Sequence, residues 1–182
     1  MVGTYDGTVV CFTLKTCEEL WRINIGSMIK SKGTCYKGCL CIAAYDGNIR
    51  CIDIVIWKYQ GAKGNIFSSI YIKEIEKFKW QMVFGCHDSN VYSIIVKNFQ
   101  PSLQWKTQLT SPVYSTPRCL SDKIILAASN NGILSVLDSE KGAIISEYHL
   151  PNETFSTPAI YGDYIFIGCR NDQLYSIKYA LH

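Results

Sequence analysis

No stretch of this 182-residue chain approaches the roughly 18 consecutive apolar residues of a membrane-spanning helix, so no membrane partner is expected. The N-terminal Met1-Val2-Gly3-Thr4-Tyr5-Asp6 lacks a basic segment followed by an apolar core, so no secretory signal is expected either. Nine cysteines without such a signal are expected to be reduced thiols in a cytoplasmic protein. Charge is scarce: 18% of residues, with a net +3 spread along the chain, is too little for a nucleic-acid footprint. A Gly-x-Ser-x-Gly nucleophile elbow and a Gly-x-x-x-x-Gly-Lys-Ser/Thr phosphate loop are both absent. The three histidines, His87, His149 and His182, show no metal-ligand spacing. Cys35, Cys39 and Cys41 are the densest thiol cluster, yet they form no Cys-x-x-Cys pair and have no evident fourth ligand. They are expected to be small buried hydrophobes. No catalytic residue, metal or cofactor is therefore expected.

What the chain does contain is a period. Turn signals lie between apolar runs at Asp6, Asp46, Asp88, Asn131 and Asn171, spaced by 40, 42, 43 and 40 residues. A period near 40 with strand-like content marks an all-β propeller or similar array, in which each unit buries its faces against its neighbours. Asp6-Gly7, Asp46-Gly47 and Asn131-Gly132 are dipeptides typical of type I′ hairpin turns. Asp88-Ser89-Asn90 and Asn171-Asp172 are weaker copies.

Aligned on these anchors, the chain separates into columns. Small residues stand three and two positions before each anchor: Gly3, Ala43, Gly85, Ala128, Gly168, then Thr4, Ala44, Cys86, Ser129, Cys169. Apolar residues stand three positions after it: Val9, Ile49, Val91, Leu134, Leu174. Trp21, Trp57 and Trp105 close three units, and Ser146 takes that place in the fourth. Upstream, Ile29-Lys30-Ser31, Ile66-Phe67-Ser68-Ser69, Val113-Tyr114-Ser115-Thr116-Pro117 and Thr154-Phe155-Ser156-Thr157-Pro158 are expected to be the first strand of each unit. The third unit is longer, and Lys73-Glu74-Ile75-Glu76-Lys77 is expected to be a solvated loop inserted there. Ile52 and Trp57 are so close that the second unit lacks the usual turn between its last strands. Units are placed at about 1–22, 23–59, 60–106, 107–147 and 148–182, giving about four blades in one domain. The strand order implies a propeller cut mid-blade at both ends.

The repeat, legible in Gly3-Thr4-Tyr5-Asp6-Gly7 with Trp21 and in Asn131-Gly132 with Leu137-Asp138 and Lys141-Gly142, resembles that of the pyrroloquinoline-quinone-type (PQQ-like) β-propellers. Within them, Phe84-Gly85-Cys86-His87-Asp88, Leu103-Gln104-Trp105-Lys106, and Phe155-Ser156-Thr157-Pro158 leading to Ile167-Gly168-Cys169-Arg170-Asn171 resemble the C-terminal propeller of the beta-alanine-activating enzymes. These are acyl-CoA-synthetase-like, ATP-dependent acid-thiol ligases. The resemblance implies a non-catalytic scaffold that meets the adenylation and carrier domains of a parent chain, or a client protein. Another protein-interaction propeller, or a stand-alone quinoprotein oxidoreductase, is the alternative. That class stacks its cofactor on a disulfide between adjacent cysteines, and this chain has no Cys-Cys pair.

Hairpin tips are where a propeller presents binding residues. The position just before each anchor holds Tyr5, Tyr45, His87, Asn130 and Arg170. Large and varied beside small, uniform columns, these five are the candidate interaction face.

Overall fold

The computed structural model describes residues 1–52 and 57–180, which form five antiparallel sheets and no helix. In chain order, the first sheet is β1 (Val2–Gly3), β2 (Thr8–Phe12) and β3 (Glu19–Asn24). The second is β4 (Thr34–Tyr36), β5 (Cys39–Ala43), β6 (Ile49–Ile52) and β7 (Trp57–Tyr59). The third is β8 (Tyr71–Glu76), β9 (Lys79–Gly85), β10 (Asn90–Lys97) and β11 (Gln100–Gln108). The fourth is β12 (Arg118–Ser121), β13 (Ile124–Ala128), β14 (Ile133–Asp138) and β15 (Ile144–His149). The fifth is β16 (Ala159–Tyr161), β17 (Tyr164–Cys169) and β18 (Gln173–Lys178). Every sheet is a meander in which consecutive strands pair, as in a propeller blade. The junction between Ile52 and Trp57 expected to lack a turn falls on residues outside those described.

The core lies between sheets. Val9 of the first sheet clusters with Leu40 and Ile42 of the second, and Ile49 of the second with Met82 and Phe84 of the third. Val91 of the third clusters with Ile125 and Ala127 of the fourth, and Leu134 of the fourth with Ile165 and Ile167 of the fifth. One column, three residues past each anchor, thus packs on another, four residues before the next anchor. Among the described residues no such cluster joins the first sheet to the fifth. A buried side chain of this size contributes about 1.5–3 kcal/mol, so each of these four junctions is a substantial source of stability.

The register explains the tryptophans. Trp21, Trp57 and Trp105 stand opposite Cys11, Cys51 and Ser93, all small, whereas Ser146 stands opposite the larger Val136. Indole on one strand is matched by a small residue on the other, and the pair is exchanged in the fourth sheet. Trp105 also donates its indole N–H to the Ser139 carbonyl of the next sheet at 3.0 Å.

Three local expectations need correction. First, the anchored turns are not type I′: positive φ occurs at Gly7 (84°), Gly47 (72°) and Gly132 (85°), but not at the residue before each. The N–H of these glycines closes a turn onto Thr4, Ala44 and Ser129, and the glycine follows in the left-handed region, so each turn ends in a bulge. In the other two copies Ser89 (64°) and Asp172 (61°) take the glycine's place. Second, the Ser-containing segments are connectors that precede the first strands, because their hydrogen bonds go to turns and to other strands (below). Third, Lys73–Glu76 lies in β8 rather than in a loop, with Glu74 opposite Trp80 and Glu76 opposite Lys79. The additional residues lengthen this blade, and its charges reach sideways: Lys37 pairs with Glu74, and Lys73 lies 3.0 Å from Asp122.

Candidate interaction face

Two segments from each unit meet at one end of the blades: the anchored turn, and the connector entering the sheet. Connector N–H groups of Ile29, Ile66 and Val113 donate to the carbonyls of Thr4, Ala44 and Cys86 in the preceding sheet's turn. Conversely, the N–H groups of Tyr45, His87, Asn130 and Arg170 donate to Met28, Asn65, Pro112 and Glu153 of the connectors, at 2.8–2.9 Å. Each connector is thereby clamped between two turns. The serine within it adds a third tie: Ser31, Ser68 and Ser115 donate to the carbonyls of Ala43, Gly85 and Ala128 at 2.7, 3.0 and 2.8 Å. In the last unit Thr154 does this instead, to Gly168. The small column before the anchors follows from this closeness. A Cβ on Gly85 would stand 2.3 Å from the Val113 side chain, and one on Gly3 2.7 Å from Ile29.

Clamping fixes the residue ahead of each serine, namely Lys30, Phe67, Tyr114 and Phe155, beside the pre-anchor residues. Together they form a belt. The Lys30 ammonium lies 5.6, 5.5 and 4.8 Å from the ring centres of Tyr5, Tyr45 and Phe67. Phe67 meets Tyr45 and Tyr114 edge-on at 5.2 and 5.1 Å and lies 6.0 Å from His87. The Tyr114 hydroxyl lies 3.0 Å from Nδ1 of His87, and its ring stacks on Phe155 at 5.3 Å. Arg170 covers Phe155 at 5.3 Å and pairs with Glu153 at 3.2 Å. Aromatic pairs and cation–π contacts of this kind each contribute about 0.5–1.5 kcal/mol. Burial, then the neighbouring Tyr45, hold the Tyr114 phenol above its ordinary pKa, so it is a neutral hydroxyl.

Four of the five residues singled out by position, Tyr5, Tyr45, His87 and Arg170, are in this belt. Asn130 is not: it is half-buried, makes no ring contact, and its side-chain oxygen has no hydrogen-bond partner. Lys30, Phe67, Tyr114 and Phe155 are not evident from the sequence, in which the connector reads as a strand. Their shared position just before a serine was the available signal.

The acidic anchors are engaged within their turns. Asp46 pairs with Arg50 at 2.5 Å. Asp88 accepts from the Tyr92 hydroxyl at 2.6 Å and from the N–H of Asn90 at 3.1 Å. Burial works to raise both carboxyls, and these bonds outweigh it, leaving both below their ordinary pKa. Among the described residues no group of three or more His, Cys, Asp or Glu side chains is placed to hold a metal ion. Cys41 is buried between the second and third sheets, and Cys35 is exposed.

Sheets of this order, joined through one repeated pair of columns, make the chain a PQQ-like β-propeller. Solved structures agree: BamB from Moraxella catarrhalis superimposes with a TM-score of 0.77 over 97% of this chain and 57% of its own, at 14% identity. The computationally designed Ika8 protein does so with a TM-score of 0.79 over 97% and 54%, at 18% identity. At these identities the likeness is one of fold. By sequence, the chain belongs to the family of the beta-alanine-activating enzymes: it is 32% identical over 151 residues to that of Mus musculus and 31% over 152 to that of Homo sapiens, 79% of the chain in each case. The Danio rerio enzyme is 40% identical over 100 residues, 52% of the chain. The matched region is 13% of the length of the mouse and human proteins. No protein-family model matches the chain.

Proposed function

We propose that this chain is a non-catalytic binding module that docks a protein partner on the aromatic and cationic belt, in the setting of a larger acid-activating protein like the relatives it resembles. The belt carries this reading. Tyr5 is exposed at the tip of the first sheet, and Phe155 and Arg170 are exposed together at that of the fifth, at the two ends of the belt and on backbone tied by the connectors' hydrogen bonds. Aromatic residues and arginine on a rigid support are the side chains that dominate protein–protein binding energy. Tyr5 and Phe155 offer apolar area, while Lys30, which makes no ion pair among the described residues, offers a positive charge to a partner's carboxylate. The inward use of Asp46 and Asp88 supports a structural role for the anchor acids.

The partner proposed is the adenylation and carrier portion of a beta-alanine-activating enzyme, in the cytoplasm. The test is binding of the full chain to that portion of the mouse relative supplied as a separate protein. Saturable binding that falls at least tenfold in a Tyr5→Ala, Tyr45→Ala, Arg170→Ala triple variant is the expected result. Absence of binding, or binding equal in the variant, would overturn the assignment.

A further inference from the structure

On the side of the array where first strands approach one another, β4 beside β8 and β12 beside β16, lies a cavity of about 520 Å³. Four sheets contribute to it through one repeated position, two residues past each belt residue of the connector: Lys32, Ser69, Thr116 and Thr157. These four are linked in series. The N–H of Lys32 donates to Ser69 Oγ, that of Ser69 to Thr116 Oγ1, and that of Thr116 to Thr157 Oγ1, each at 3.0 Å. Each hydroxyl thus accepts a backbone bond, while its own proton has no acceptor among the described residues.

Two cations line the same cavity, Lys32 and Arg118, and neither makes an ion pair among the described residues. Arg118 donates through Nε to the Pro158 carbonyl at 3.3 Å, which orients the guanidinium and leaves its two terminal nitrogens free to donate. No Asp or Glu lines this space. The contrast with the neighbouring cavity of about 430 Å³ is direct: there Lys73 and Lys123 face three carboxylates, Glu74, Asp122 and Glu140.

We infer that the 520 Å³ cavity is a binding site for a small oxyanion, a carboxylate or a phosphate, held by Lys32 and Arg118 and by the hydroxyls of Ser69, Thr116 and Thr157. Two cations and a row of hydroxyl protons without a carboxylate to receive them are an unfilled set of donors. An oxyanion accepts several such bonds at once, and guanidinium matches its planar geometry. The site is separate from the belt and stands whether or not the belt binds a protein.

Calorimetric titration of the full chain with succinate, with inorganic phosphate and with methylammonium tests it. At least one oxyanion should bind saturably, and methylammonium should not. Binding of succinate alone assigns a carboxylate ligand, and of phosphate alone a phosphate ligand. Lys32→Gln and Arg118→Gln should each weaken binding about tenfold, as loss of a charge-assisted bond does. Lys123→Gln, outside the cavity, should leave it unchanged. Thermal melting of each variant separates loss of the site from loss of the fold, and a falling affinity with added salt in the unaltered chain provides a readout that needs no variant. Failure of both oxyanions to bind, or binding retained in the Lys32→Gln, Arg118→Gln double variant, would overturn the inference.

Discussion

Two columns lie within four residues of each other in every unit and behave in opposite ways. Three residues past the anchor, Val9, Ile49, Val91 and Leu134 are at most 1% exposed, all aliphatic, and all packed on the following sheet. One residue before the anchor, Tyr5, Tyr45, His87, Asn130 and Arg170 span four residue types and line the blade tips. Where the repeats agree, a neighbouring sheet imposes the agreement; where they differ, the side chains meet other belt residues at the blade tips instead of a following sheet. Leu174 makes the same point from within the first column. It has the residue type of its column but no following sheet among the described residues, and it is 72% exposed. Val2, in the complementary column that holds Ile42, Phe84, Ala127 and Ile167, is 49% exposed for the matching reason.

The sharpest way to break this comparison is at a junction. Phe84→Ala should cost about 3–5 kcal/mol, because it opens a cavity between the second and third sheets. Urea denaturation measures it, and a loss below about 1 kcal/mol would place the stability elsewhere. Next come the anchored turns, one that lacks glycine and one that has it. Ser89→Gly should stabilise by up to about 1 kcal/mol by relieving a left-handed serine. Gly132→Ala should destabilise, since its Cβ would stand 2.2 Å from the Asn152 carbonyl.

The acid anchors give a pH-dependent effect. The folded pKa values of Asp46 and Asp88 lie below the unfolded value near 3.9. Their contribution is therefore present above about pH 4 and is lost as pH falls through the lower, folded values. Melting temperature should drop on acidification below that point, and less steeply in Asp88→Asn. Smallest of all, Leu174→Ser should change stability by less than about 0.5 kcal/mol, although the same change at Leu134 would be severe. Thiol labelling adds a check at constant sequence. Burial pushes Cys86 up to about 12, so at pH 8 it should resist iodoacetamide until the chain unfolds, while exposed Cys35 reacts.

Most of the architecture was legible because it rests on agreement between repeats. Asp-Gly and Asn-Gly pairs, small columns and a period near 40 each have a local physical cause, and the strand pairing confirms Ser146 as the counterpart of the tryptophans. The turn type escaped because Asp-Gly suits two geometries that differ in φ at the residue before glycine. The connector reads as a strand because its apolar residues, Ile29, Ile66 and Val113, are buried in the same clusters as the strand side chains, although its backbone bonds go to the turns. That likeness conceals half of the belt. Proximity between Phe67 and His87, or between Lys30 and Tyr5, depends on two segments meeting, and no spacing in one segment records it.

The most direct measurement takes one variant through two assays. Tyr5→Ala, Arg170→Ala in the full chain should leave the urea midpoint within experimental error and lower affinity for the adenylation and carrier portion of the mouse relative at least tenfold. An unchanged affinity, or a loss of binding that merely tracks a loss of stability, would contradict the division between packing columns and a binding belt.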